Sequence, residues 1–133
     1  TPEEYLEVAD AWPLNPSGEL LLGLKIENKR AVENLEETLS TPGIAFAEWG
    51  PGDMSMSLGY RAIPEPLTKE LMEIRNKVFA GCKENGVKFL EHATPENIQE
   101  KIREGVRIVS TDGDVGEDTA AAGRHYSGRT LPV

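Results

Sequence analysis

Short apolar runs alternate with helix-patterned segments four times along this chain, and that rhythm restricts the fold more than any other feature. Leu20-Leu21-Leu22-Gly23-Leu24-Lys25-Ile26-Glu27 is almost continuously apolar and too short for a helix. Such a run reads as a strand buried on both faces, as parallel sheets require. Asn28 is placed to cap a helix whose Val32, Leu35 and Leu39 follow i, i+3, i+7 spacing, and Pro42-Gly43 ends it. Ile44 to Trp49 is a second apolar strand, and it leads into Gly50-Pro51-Gly52-Asp53. Residues 67–85 carry the longest helical stripe (Leu67, Leu71, Ile74, Val78, Cys82), with Asn85-Gly86 as its stop. Val87 to Leu90 and Val106 to Val109 are the third and fourth strands. Between them Thr94-Pro95-Glu96 opens a helix with Ile98 and Ile102 on one face, stopped by Gly105.

Thr1-Pro2-Glu3-Glu4 opens an earlier helix, expected to run to about Ala11 and stop before Pro13, with a loop over residues 13–18. Residues 110–133 turn polar and Gly-rich, and only Glu117 to Ala122 reads as helical. Alternating strands and helices imply an α/β fold with a parallel sheet and right-handed crossovers. Two architectures fit: an open doubly wound sheet, or half of an eight-stranded barrel. A complete barrel needs about 250 residues, and the chain has 133.

Charge narrows the partners. Acidic residues outnumber basic ones 23 to 14, for a formal net charge of −9, which argues against nucleic acid or an anionic membrane as partner. No apolar run approaches the roughly 18 residues that span a bilayer. One cysteine, Cys82, leaves neither an internal disulfide nor a multi-cysteine zinc site. A reducing, cytoplasmic setting is the expectation, and the missing initiator Met points to a segment of something longer.

In either architecture ligands sit beyond the carboxyl ends of the strands. Glu27 ends the first strand, Asp53 follows the second and His92 follows the third. Two rim carboxylates without a Cys or His cluster suit a hard divalent cation; acids at helix starts are also favoured by the helix dipole alone. The two glycines of Gly50-Pro51-Gly52-Asp53 let successive N–H groups face an anion, or simply make a tight turn. His92 reads as a proton relay or as a hydrogen-bonded structural residue, and His125 as solvated. Thr111-Asp112-Gly113-Asp114 lacks the closing Glu of a calcium loop and reads as the turn after the last strand. Cys82 reads as buried and inert, and Met54 and Met56 as loop packing.

The stretch as a whole is distinctive. Lys25-Ile26-Glu27, the helix Ala31-Val32-Glu33-Asn34-Leu35, Gly43-Ile44, and Gly50-Pro51-Gly52-Asp53-Met54-Ser55-Met56-Ser57-Leu58-Gly59-Tyr60 together resemble the HpcH/HpaI aldolase and citrate lyase β-subunit superfamily. Those enzymes carry a similar x-I-E…G-P-x-D-L-S-x-x-L-G signature on consecutive strands of a TIM barrel. Gly52, in the third motif position, is similar to the macrophomate synthase branch, which handles oxaloacetate.

The resemblance implies that residues 1–133 are a single segment, the C-terminal half of a TIM (β/α)8 barrel, with four βα units and a polar tail from about residue 110. It implies a class II metal-dependent lyase, an aldolase acting on 2-oxo acids through a metal-bound pyruvate enolate. An oxaloacetate decarboxylase of the macrophomate synthase kind is the alternative. Glu27 and Asp53 match the family's protein ligands for magnesium, manganese or cobalt. The amides of Gly52 and Asp53 match those that hold the substrate carboxylate.

Lys25 stands where many pyruvate aldolases place a Gln that touches substrate. A cation there pairs with a substrate carboxylate or points outward on the alternate face. Met54 replaces Leu. The family's general base, a His, and the Arg that binds the enolate oxygen belong to the first half of the barrel and have no counterpart here. The full-length protein is implied to assemble as a homo-oligomer. A rival reading is a non-catalytic half-barrel that binds only metal and carboxylate, or that associates with another chain through its open edges. A flavodoxin-like signalling domain fits the length but leaves the paired motifs unexplained.

Overall fold

Parallel strands and helices alternate along the computed structural model, which describes residues 1–4 and 9–129. The chain divides into two units, Thr1–Phe89 and Leu90–Val133.

In the first unit, β1 (Ala11–Trp12) pairs in parallel with β2 (Leu20–Leu21). β3 (Gly23–Lys25) pairs in parallel with β4 (Phe46–Glu48), in the register Gly23↔Phe46, Leu24↔Ala47, Lys25↔Glu48. Ile26 N extends that ladder by donating to Glu48 O at 2.8 Å. β5 (Lys88–His92) begins alongside β4, with Lys88 N donating to Ala45 O at 2.9 Å. Four helices connect these strands: α1 (Lys29–Glu33), α2 (Leu35–Leu39), α3 (Pro51–Leu58) and α4 (Lys69–Glu84).

The apolar run 20–27 is therefore two strands, not one. Leu22 interrupts it, and its carbonyl accepts from Ala45 N at 2.9 Å. Nor is the run buried on both faces. Ile26, Ala45, Ala47 and Trp49 are buried, whereas Leu20, Leu21 and Leu22 are about half exposed, at 47%, 56% and 52%. In β4 burial alternates, Ala47 being buried between the partly exposed Phe46 and Glu48, while Leu24 in β3 is only partly covered.

The helix predicted from Asn28 to Leu39 breaks at Asn34. Asn28 caps as expected, its Oδ1 accepting from Ala31 N at 2.9 Å. Asn34 Nδ2 donates to Arg30 O at 2.7 Å, giving that carbonyl a side-chain partner, and a second helix starts at Leu35. In α4 the stripe is buried at Leu71, Val78 and Cys82. Arg75 is buried too, and its guanidinium lies over the rings of Phe79 and Phe89, 5.2 and 5.4 Å from their centroids. Those two rings meet edge to face at 5.1 Å.

Burial pushes the Cys82 thiol up to about 11. At pH 8 its thiolate is then on the order of one part in a thousand. Alkylation by iodoacetamide at that pH is expected only after denaturation, and rapid labelling of the folded chain would contradict the burial.

At the N-terminus Thr1 Oγ1 accepts from Glu4 N at 3.2 Å, as a cap should. Residues 5–8 of the predicted helix lie outside the described residues. The helix does not reach Ala11, which belongs to β1. Trp12 precedes Pro13, and a residue before proline is biased towards extended backbone.

The second unit pairs the rest of β5 in parallel with β6 (Ile108–Ser110), in the register Leu90↔Ile108, Glu91↔Val109, His92↔Ser110. Helix α5 (Ile98–Glu104) starts later than Thr94-Pro95 suggests. The Asn97 side chain accepts from Thr94 N at 2.9 Å, which makes the intervening residues a turn.

Helix α6 (Gly116–Ser127) corrects the reading of a mostly irregular polar tail. It packs on α5 through small residues, which carry no apolar signature. A Cβ at Gly123 would come within 3.1 Å of Ile98 Cγ1. Thr119 is buried, with its hydroxyl donating to Val115 O at 2.8 Å. Among the described residues no helix is long and apolar enough to cross a membrane.

Candidate metal and carboxylate site

Glu27 lies two residues beyond β3, and the parallel register carries it opposite Gly50, two residues beyond β4. A Cβ at Gly50 would run into the Glu27 carboxylate, so glycine leaves the space that Glu27 uses. Gly50 is also the N-cap of α3, with Pro51 opening the helix and Asp53 in its first turn. The Glu27 carboxylate thus rests at the N-terminal end of the helix that carries Asp53. Lys29 N donates to Ser57 Oγ at 3.0 Å and ties the segment after Glu27 to α3.

Gly50-Pro51-Gly52-Asp53 is therefore a helix start, not an isolated tight turn. The N–H groups of Gly52 and Asp53 fall in the first turn, where an α-helix has no acceptor of its own, and the helix dipole adds partial positive charge there. The two glycines differ. A Cβ at Gly52 would meet only Ile63 Cδ1, at an ordinary 3.7 Å, whereas the space at Gly50 is taken.

Lys25 projects from the same strand face as Glu27. Its Nζ stands 3.1 Å from Glu27 Oε1 and 3.6 Å from Glu48 Oε2. Hydrogen bonding and charge from Glu27, then charge from Glu48, hold the ammonium above the usual lysine range. The Lys25 side chain is exposed and pairs with both Glu27 and Glu48. Glu48 is the residue that the sequence reasoning missed, because it sits inside a run read as apolar strand. A signal existed: Glu48 precedes Gly50 by two residues, as Lys25 precedes Glu27.

Glu27 is largely covered, with 16% of its side chain exposed, while Asp53 is exposed. Among the described residues no group of three His, Cys, Asp or Glu side chains is arranged to hold a metal. Glu27 and Asp53 are oxygen donors of the kind a hard cation takes alongside water or substrate oxygens.

The other sequence candidates lie elsewhere. His92, in the second unit, has Nε2 3.5 Å from Asp112 Oδ2 and is partly exposed. Thr111 to Asp114 lead into a turn in which Val115 N donates to Asp112 O at 3.2 Å. His125 is exposed on α6, Met54 is buried in α3, and Met56 is exposed and so is not packing. A cavity of about 640 Å³ in the second unit has Ile98, Ile102 and Val106 in its wall, and none of Lys25, Glu27, Gly52 and Asp53 lines it.

A family model described as HpcH/HpaI aldolase/citrate lyase matches residues 6–121. An HpcH/HpaI aldolase/citrate lyase family protein from Burkholderia cenocepacia J2315 is similar in structure, with a TM-score of 0.66 at 22% identity. That match covers 96% of this chain and 47% of the other. The citrate lyase β subunit from M. tuberculosis, complexed with oxaloacetate and magnesium, matches with a TM-score of 0.64 at 13% identity over 75% of this chain and 51% of the other. Macrophomate synthase matches with a TM-score of 0.64 at 19% identity over 91% and 44%. At these identities the likeness is one of fold, and the chain spans about half the length of the structures it matches. No curated protein matches the sequence. The fold is thus a partial barrel of the TIM type.

Proposed function

Because the chain belongs to the HpcH/HpaI aldolase/citrate lyase family, we propose that it is the C-terminal half of a divalent-metal-dependent carbon–carbon lyase acting on 2-oxo acids. The observation that carries this reading is the Glu27 carboxylate seated in the space at Gly50, at the start of the helix that bears Asp53. Glu27 and Asp53 are the protein ligands, for magnesium or manganese. When bound, the cation supplies Lewis-acid stabilisation of the negative charge that develops as a C–C bond breaks.

The chain's own residues do the rest of what this half contributes. The amides of Gly52 and Asp53 receive the carboxylate of the 2-oxo acid, oriented by the helix start. Gly50 keeps Glu27 close to that helix. The oxygen-only donor set disfavours soft metals. The proton-transferring base comes from residues outside this chain.

The test is calorimetry on the full-length protein with manganese and with oxalate, a stable stand-in for the planar enolate of pyruvate. Oxalate is expected to bind only once manganese is present. Oxalate binding of equal strength without the cation would overturn the metal-dependent reading. Cation-dependent binding with no cleavage or decarboxylation of any 2-oxo acid would favour a binding half-barrel over a lyase.

A further inference from the structure

Lys25 is held by two carboxylates at once, although 64% of its side chain is exposed. Glu48 lies opposite it in register, and Glu27 follows it by two residues, so all three project from one strand face. Two carboxylates close together on one face repel, and an ammonium between them relieves that repulsion. A divalent cation on Glu27 reverses the balance: it repels the ammonium and competes for the same carboxylate oxygens. Glu48 then remains within reach of Lys25.

We propose that Lys25 is a displaceable internal counter-ion, resting on Glu27 in the cation-free site and passing to Glu48 when Glu27 takes a divalent cation. This rests on the metal reading above. Lys25 and Glu48 are positioning residues in this scheme: they set how readily Glu27 is released, and neither needs to touch the reacting atoms.

Manganese titration of the full-length protein, with folding checked by circular dichroism, tests the exchange. Lys25→Met is expected to bind manganese about three- to tenfold more tightly, since a partly exposed ion pair and one nearby like charge are lost as competitors. Glu48→Gln is expected to bind it about threefold more weakly, because the displaced ammonium has lost its second holder. In the Lys25→Met background Glu48→Gln should then have no effect, as Glu48 acts through Lys25.

Unchanged or weaker binding by Lys25→Met would overturn the proposal. So would an equal loss from Glu48→Gln in both backgrounds, which would make Glu48 a direct partner of the cation. Glu27→Gln separates the two levels. If it binds manganese as the parent does, the metal reading itself falls and the exchange with it. If it loses binding while Lys25→Met changes nothing, only the exchange falls.

Discussion

Glu27→Gln is expected to weaken manganese binding by at least about a hundredfold, while the circular dichroism of the protein stays unchanged. The amide keeps the shape of the side chain and removes its charge, so the substitution tests the ligand and spares the packing. Little of the fold depends on that charge: the Glu27 carboxylate pairs with the exposed Lys25 ammonium. Gly50→Ala is the companion variant. Its methyl would meet the Glu27 carboxylate, and the side chain must swing away from the start of α3. A loss of about ten- to a hundredfold is expected, typical of moving a ligand without removing it. Gly52→Ala, whose Cβ would meet only Ile63 Cδ1 at an ordinary 3.7 Å, should leave cation affinity nearly unchanged. Equal losses from Gly50→Ala and Gly52→Ala would show that the steric account of Gly50 is wrong.

Phe89→Ala is expected to cost about 3–5 kcal/mol of stability, a large share of the total for a domain of this size. Phe89 is 2% exposed. Its ring meets Phe79 edge to face at 5.1 Å and lies under the Arg75 guanidinium. Truncation removes the buried area of the ring, an aromatic pair and one of two surfaces on which the buried cation stacks. Phe89→Leu restores most of the buried area but neither ring interaction, and should recover more than half of the loss. Urea unfolding of the three proteins measures both steps. A Phe89→Ala variant as stable as the parent would mean that the ring is not part of the core.

Glu27 and Asp53 illustrate how far a one-dimensional reading reaches. Each follows a strand end, and neighbouring parallel strands bring such ends to one rim, so the βα order alone assigns both residues to that rim. The same reading gave Gly52 a substrate-binding role and Gly50 none of its own. Only the register between β3 and β4 shows that one of them faces Glu27.

What the sequence determined by itself is local. The four-fold alternation, the Asn28 cap and the buried stripe of α4 rest on periodicity and on hydrogen bonds spanning three or four residues, and a short window of chain encodes them. Tertiary structure decided the rest. The run 20–27 splits at Leu22, and its leucines stay open on one side, because burial depends on what covers each face. Helix α6 forms beyond its visible signal because its neighbour takes Gly123 at a close approach to Ile98, a contact that leaves no apolar signature. Lys25 meets Glu48, 23 positions away in sequence, through strand register. Register is a property of two segments together, so neither segment's own residues could announce it.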